Sequence, residues 1–150
     1  MKTSEKRIEE LAEFLNIDRA DIVPDDYTDN QFNTPDGDYL VLTDEEADNA
    51  TAEYIKYSIW AFNPEFIISE CGLCNNLSYP ESCDLINSLR AIQEKICDSS
   101  NHLLTALVKG TCGLDTFIAD AINTDGRGHF ISYWDGKEYA SKNFYIYRIN

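Results

Sequence analysis

The sequence predicts an α+β fold: a mostly helical single domain, spanning residues 1–150, with a small antiparallel sheet. Apolar residues recur at spacings of three and four along most of the chain, as they do on one face of an α-helix. Two runs rich in aromatic and β-branched residues, 129–134 and 144–149, flank the turn dipeptide Asp135-Gly136 and predict a C-terminal β-hairpin. A chain of 150 residues has the usual length of one domain.

The N-terminal third is predicted to contain a helix, an irregular acidic stretch and a strand. The helix is expected over 3–17, where the apolar face consists of Ile8, Leu11, Ala12 and Leu15. Residues 18–38 show no periodicity, and a connection of this length indicates either a functional loop or a strand that the pattern hides. A strand is expected at 39–42. A helix follows at 43–62, because Thr43 and Glu46 have the spacing of a capping box.

The rest of the chain before the hairpin is predicted to be helical. Asn63-Pro64 ends the preceding helix, and Pro64 starts a shorter one. Gly126 and Gly128 flank Arg127 and predict a turn in which both glycines have positive φ. Further helices are expected at about 82–97, 101–109 and 114–122.

The net charge of −15 is unevenly distributed. Residues 18–53 contain twelve acids and a single base, Arg19, whereas residues 123–150 contain three acids and four bases. An acidic surface repels phosphate, so direct binding of nucleic acid is not expected. No apolar run reaches the eighteen residues of a membrane span, and the start of the chain is a charged helix pattern rather than a signal peptide. We therefore expect a cytoplasmic protein without membrane contact.

The five cysteines are an odd number, which favours reduced thiols over a disulfide scaffold. Cys71-x-x-Cys74 has metal or redox spacing, and Cys83 and Cys97 are further thiols. These two are too far apart for the second close pair of a structural zinc site. The motif also follows a predicted helix instead of opening one after a strand, as a thioredoxin-type motif does. We expect ordinary thiols and no bound metal.

Asp125, Arg127 and His129 are a candidate acid–base site. A hydrogen-bonded structural histidine is the simpler interpretation, since the sequence places no partner carboxylate beside His129. The sequence contains no phosphate-binding loop, dinucleotide fingerprint or nucleophile elbow. We predict neither an enzyme nor a cofactor.

Three stretches resemble a family of small acidic proteins of bacteriophages and related mobile elements, of unknown function. They are YLVLTDEEA at 39–47, WAFNP at 60–64, and DGRGHF at 125–130 together with YIYR at 145–148. The Cys-x-x-Cys segment and Tyr133-Trp134 depart from the family pattern. The resemblance implies a phage or plasmid origin and a host cytoplasm, and it implies no catalytic residues.

This origin and the charge distribution lead to a functional hypothesis. We expect a non-enzymatic DNA mimic, of the anti-CRISPR kind, that inhibits a basic nucleic-acid-binding host protein. Carboxylates on a rigid surface complement the same basic groove as duplex phosphates. Neutralising them is expected to leave stability unchanged or slightly higher, because like charges repel. The candidate partner-binding residues are Asp25, Asp26, Asp29, Asp36, Asp38, Asp44, Glu45 and Asp48.

Two alternatives are kept. The acids can form a solvated face that maintains solubility. The protein can also be a phage structural, assembly or replication accessory protein that docks through its aromatic C-terminal hairpin. Partner binding through the acids is expected to weaken steeply as the salt concentration rises, whereas binding through the aromatic hairpin is not.

Overall fold

The chain folds into helices and one small antiparallel sheet, which confirms the predicted α+β class. The computed structural model describes residues 3–150. Short 3-10 turns occupy 19–21, 59–61 and 97–100. The other elements, in chain order, are α1 (Thr3–Leu15), β1 (Val23–Pro24), β2 (Gln31–Thr34), β3 (Gly37–Leu42), α2 (Asp44–Ser58), α3 (Pro64–Glu70), α4 (Glu81–Ile96), α5 (Asn101–Gly110), α6 (Leu114–Asp125), α7 (Arg127–Ile131), β4 (Tyr139–Ala140) and β5 (Tyr145–Arg148).

The chain divides into two compact units. The first comprises residues 1–51 and 125–150, and the second comprises residues 52–124. The first unit contains the sheet, and the second contains α3, α4, α5 and nearly all of α6. All eight candidate partner-binding acids belong to the first unit.

The sheet has the strand order β1-β2-β3-β5-β4, and all its pairs are antiparallel. An apolar cluster joins α1 to the sheet, with Leu11 from the helix and Phe32, Val41 and Ile146 from the strands fully buried. On β2, Phe32 is buried and its neighbours Gln31 and Asn33 are more exposed, as expected for a strand whose successive side chains point to opposite faces. The sheet thus holds the acidic loops on a packed frame.

The stretch 18–38 contains the strands that its lack of periodicity hid. β1 and β2 pair through Val23 with Asn33 and Pro24 with Phe32. β1 has only two residues and lies at the sheet edge, where Pro24 is tolerated because an edge residue needs no ladder hydrogen bond. The expectation of a hidden strand is confirmed for residues 23–24 and 31–34.

The predicted strand at 129–134 is wrong. Residues 127–131 form α7, and Phe130, Ile131 and Ser132 are all buried. Three consecutive buried residues do not fit a strand with one solvated face, and an apolar run this short satisfies either periodicity. The C-terminal hairpin exists, but β4 provides its first strand, with Tyr139 opposite Ile146.

Two local predictions about helix starts are confirmed. The Thr43 amide donates to the Glu46 carboxylate at 2.7 Å, and the Glu46 amide donates to the Thr43 hydroxyl at 3.3 Å, which is the capping box that starts α2. Asn63 caps α3, and Pro64 occupies its first turn.

The glycines at 126 and 128 differ. Gly126 has the predicted positive φ of +80°. Gly128 does not have positive φ and lies buried within α7. Its role is close packing, because a Cβ there would lie 2.5 Å from the backbone of Lys137.

The second unit is built around aromatic and amide contacts. The rings of Phe62, Phe66 and Phe117 lie with centroids 5.3–5.7 Å apart. The Gln93 side chain donates to the carbonyls of Trp60 and Phe62, at 2.8 Å each. This side chain therefore ties α4 to the 3-10 turn that ends α2.

Within residues 3–150, no helix is both long enough and apolar enough to cross a membrane.

Candidate partner-binding site

The sheet register places the candidate acids at two opposite ends of the β2–β3 hairpin. Gln31 pairs with Leu40, and Thr34 pairs with Gly37. The turn before β2 therefore lies at the same end as the start of α2, which follows Leu42. The β2–β3 turn lies at the other end, about 17 Å away at the usual rise per residue. We call the first group the α2-end acids; they are Asp25, Asp26, Asp29, Asp44, Glu45 and Asp48.

The remaining two candidates, Asp36 and Asp38, lie at the far end and are held by the C-terminus of the chain. The Arg148 guanidinium donates to the Asp36 carbonyl, and the Asn150 side-chain amide donates to the Asp38 carboxylate at 3.1 Å. The sequence hypothesis treated all eight acids as one group, and the register separates them.

Arg7 joins the two segments that provide the α2-end acids. Its guanidinium donates to both carboxylate oxygens of Glu46, at 2.7 and 2.8 Å, and to the Asp29 carbonyl at 3.4 Å. Arg7 is only 4% exposed. Burial raises the pKa of Glu46, but the hydrogen bonds from Arg7 and Thr43 outweigh it, so that this pKa lies below its ordinary value. The ion pair therefore fixes the turn before β2 against the first turn of α2.

A second arginine, Arg127, lies among three carboxylates. Its guanidinium donates to Asp44 at 2.8 Å and to Asp48 at 2.9 Å. It also forms a two-point contact with Glu138, at 2.7 and 3.1 Å, and its charged carbon lies 4.4 Å from the centre of the Tyr145 ring. Hydrogen bonding to Glu138 raises the pKa of Arg127, burial lowers it, and Asp44 and Asp48 raise it further. Arg127 therefore stays charged, and three carboxylates around one guanidinium leave two net negative charges.

These contacts divide the α2-end acids into paired and unpaired groups. Asp44 and Asp48 keep side-chain exposures of 71% and 62% while they bind Arg127. Asp25 accepts hydrogen bonds from the amides of Tyr27 and Thr28, at 2.9 and 3.1 Å, and so shapes its own turn. Within the described residues no ion pair or side-chain hydrogen bond involves the last three, which are Asp26, Asp29 and Glu45.

Pairing with Arg127 changes the expectation about stability. Neutralising Asp44 or Asp48 removes a partner of a nearly buried cation, so the expectation of unchanged stability does not hold for these two residues. The expectation of unchanged stability still applies to Asp26, Asp29 and Glu45, which are exposed. These three are the appropriate positions for a functional test.

An open cleft of about 560 Å³ lies beside the Arg7–Glu46 pair. Small-molecule sites are usually lined mostly by apolar and aromatic side chains. This cleft is lined by polar residues instead, which favours solvation of the nearby carboxylates over a ligand pocket. The lining consists of Thr3, Ser4, Arg7, Thr28, Asp29, Asn30 and Glu46.

Sequence reasoning missed Arg7 and Glu138, the residues that organise this region. Arg7 lies in an amphipathic helix, where its charge suggests an exposed position. Glu138 lies in a predicted turn, where the sequence shows neither helical nor strand periodicity. It binds Arg127 and also accepts a hydrogen bond from the Tyr147 hydroxyl. Burial raises the pKa of Tyr147, and its hydrogen bond with Glu138 raises it further. No local signal marks either residue.

The alternative acid–base site does not assemble. Arg127 is occupied by carboxylates, and the exposed His129 lies with its ring 5.0 Å from that of Phe130, edge on. Among the described residues no hydrogen bond or ion pair joins His129 to Asp125 or Arg127. The imidazole is therefore not part of the Arg127 cluster.

The five cysteines differ in their exposure. All five are free thiols; Cys71 is buried, and Cys83 and Cys97 are exposed. Burial raises the pKa of the Cys71 thiol, the Thr111 hydroxyl lowers it, and Cys112 raises it. Among residues 3–150, no group of three or more histidine, cysteine, aspartate or glutamate side chains is arranged to hold a metal ion.

Burial raises the pKa of Glu70, a carboxyl group of the second unit, and the neighbouring Asp120 raises it further.

Comparison with protein-family models, curated proteins and solved structures finds no match to this chain.

Proposed function

We propose that this protein is a non-enzymatic inhibitor that binds the basic nucleic-acid groove of a host protein through its α2-end acids. The observation that supports this best is the Arg7 bridge. By binding both Glu46 and the Asp29 carbonyl, Arg7 holds two acidic segments side by side on a packed sheet. Pre-organised charge loses little conformational entropy on binding.

The charge of the first unit agrees with this proposal. Its segments contain eighteen acids and eight bases, a net charge of −10, against −5 for residues 52–124. The two arginines that bind the segments of the α2-end acids, Arg7 and Arg127, are enclosed, with side-chain exposures of 5% and 11%. The outward field at this end is therefore negative and suits a partner rich in lysine and arginine.

The test uses a triple variant at the unpaired positions, Asp26→Asn, Asp29→Asn and Glu45→Gln. Its matched control is Asp84→Asn, Glu94→Gln and Asp98→Asn, which removes three exposed acids from residues 52–124. Host proteins that bind DNA are captured on each protein at low and high salt and then purified. Their affinities are measured with and without competing duplex DNA.

We expect the site variant to bind at least about tenfold more weakly, because each exposed charge contributes up to about 1 kcal/mol. The control is expected to bind the partner like the parent. Duplex DNA is expected to displace both the parent and the control from the partner. Equal binding by all three proteins at every salt concentration would instead favour a solvated acidic face.

The second candidate is a phage structural, assembly or replication accessory protein that docks through aromatic residues. Its supporting observation is the exposure of Tyr133 and Trp134, at 67% and 60%. Arg148 lies over the Trp134 ring, 4.6 Å from its centre. The predicted hairpin does not present these residues; they follow α7 in the turn before β4. Partner binding that persists in high salt and is lost in Trp134→Ala would favour this candidate.

A further inference from the structure

The turn between β1 and β2 presents one aromatic side chain, Tyr27, which is 94% exposed. We call residues 25–30 the Tyr27 turn. Among residues 3–150, no side-chain hydrogen bond or ring contact involves Tyr27. A ring this exposed buries almost no apolar surface and contributes little to stability. Two acids with unpaired carboxylates, Asp26 and Asp29, lie on the same turn. The turn therefore places an uncovered aromatic ring among the α2-end acids.

Hydrogen bonds fix the backbone of the Tyr27 turn. The Asp25 amide donates to the Gln31 carbonyl at 2.9 Å, which closes the base of the turn. The Asp25 carboxylate accepts a hydrogen bond from the Tyr27 amide at 2.9 Å. The Val41 amide donates to the Asn30 carbonyl at 2.8 Å and so ties the turn to β3. A fixed backbone loses little conformational entropy when a partner binds, and a tyrosine side chain has only two χ angles to order.

The Arg127 cluster shows which group such a set of side chains binds. The charged carbon of Arg127 lies 4.4 Å from the centre of the Tyr145 ring. The same guanidinium bonds Asp44 at 2.8 Å and Asp48 at 2.9 Å. One tyrosine face and two carboxylates thus contact one guanidinium. The Tyr27 turn offers the same kinds of group in one short segment, and no arginine or lysine of residues 3–150 is paired with this ring or with its two neighbouring carboxylates.

From these observations we propose that Tyr27 is an anchor residue of the α2-end site and accepts an arginine side chain of the partner on its ring face. Asp26 and Asp29 bind the positive charge of that guanidinium. This inference rests on the proposed function, because it takes a basic groove as the partner surface. It adds a chemical preference for arginine. The guanidinium is flat and weakly hydrated and stacks on aromatic rings, whereas the lysine ammonium is a strongly hydrated point charge.

An aromatic anchor and exposed carboxylates affect binding to the host protein in different ways. Charges at the rim of an interface mainly set the association rate and its salt dependence. Loss of a packed contact mainly raises the dissociation rate. We therefore expect Tyr27→Ala to dissociate faster with an unchanged salt dependence. The variant Asp26→Asn, Asp29→Asn and Glu45→Gln is expected to associate more slowly and to depend less on salt.

The test of the anchor uses two probes of equal length, an oligoarginine peptide and an oligolysine peptide, at low salt. The matched control is Tyr57→Ala, which removes a tyrosine that is 74% exposed and belongs to the second unit. We expect Tyr27→Ala to bind the arginine peptide roughly two- to fivefold more weakly, which is the effect of one exposed cation–π contact. The loss for the lysine peptide is expected to be smaller. Tyr27→Phe keeps the ring and is expected to bind like the parent, as is Tyr57→Ala.

Three results would overturn the inference. They are equal affinities of the parent and Tyr27→Ala for the arginine peptide, a loss of the same size for both peptides, and a parent that binds neither peptide. A melting temperature of Tyr27→Ala equal to that of the parent is expected, because the side chain is exposed. The Tyr27→Phe variant separates loss of the ring from any effect of the hydroxyl.

Failure of the proposed function would look different. In that case host proteins would bind the parent and the triple acid variant equally. If the acid variant binds a host protein more weakly while Tyr27→Ala binds it with the affinity and dissociation rate of the parent, the proposed function is supported and the role of Tyr27 is wrong.

Discussion

At the scale of single residues, Gly128 illustrates a constraint that comes from packing rather than from φ. A Cβ at this position would lie 2.5 Å from the Lys137 carbonyl carbon and 2.7 Å from both the Glu138 nitrogen and the Gly136 oxygen. These neighbours are backbone atoms, which cannot rotate away. The absence of a side chain therefore lets α7 approach the turn that precedes β4.

We predict that Gly128→Ala lowers the free energy of unfolding by roughly 2–3 kcal/mol, as overpacking does. Gly126→Ala is expected to cost about 1 kcal/mol, because its φ is positive while a Cβ would meet nothing within 4 Å. Gly110→Ala is the control, since Gly110 has neither constraint. Urea denaturation measures all three. Equal stability of the Gly128 and Gly110 variants would contradict the packing argument.

At the scale of secondary-structure elements, Arg127 connects α7 to the first turns of α2 and to the segment before β4. The side chain of Arg127 is 11% exposed, and the side chain of Glu138 is 29% exposed. Removing the guanidinium leaves Glu138 with a charge that has lost its partner in a partly buried position. Unpaired charges of this kind are costly.

We predict that Arg127→Met lowers the free energy of unfolding by about 2–4 kcal/mol, somewhat below the range for fully buried pairs. The matched control is Arg90→Met. Arg90 bonds Glu65 at 2.8 Å, with side-chain exposures of 44% and 49%, and a pair this exposed contributes at most about 1 kcal/mol. Chemical denaturation of both variants checks the difference. Similar losses would mean that the Arg127 cluster stabilises no more than a surface pair.

At the scale of the whole molecule, the net charge of −15 opposes folding through self-repulsion. Salt screens this repulsion, because the Debye length falls from about 30 Å at 0.01 M to about 8 Å at 0.15 M. The ion pairs of Arg7 and Arg127 are enclosed and are screened less.

We predict that raising sodium chloride over this range increases the melting temperature by a few degrees. The variant Asp26→Asn, Asp29→Asn and Glu45→Gln is expected to melt higher than the parent at low salt and to respond less to added salt. Differential scanning calorimetry at several salt concentrations measures both effects. A melting temperature that falls with salt would mean that screening of the ion pairs outweighs relief of the repulsion.

The sequence by itself determined the elements whose signals are local. The capping box at Thr43 and Glu46 and the helix start at Pro64 were predictable, because their hydrogen bonds and backbone angles involve neighbouring residues. The strand over 39–42 was predictable from its short apolar run, and the apolar face of α1 from its helical periodicity. The excess of acids in 18–53 was also visible, since a charge count needs no coordinates.

Only the tertiary structure decided which distant residues meet. The sheet register separates Asp36 and Asp38 from the α2-end acids. Arg127 reaches Asp44 across 83 residues of sequence, and Arg7 reaches Glu46 across 39. The run after Gly126 became a helix because its residues are buried on more than one side. Such contacts depend on strand pairing and packing between elements, and no short stretch of sequence encodes either one.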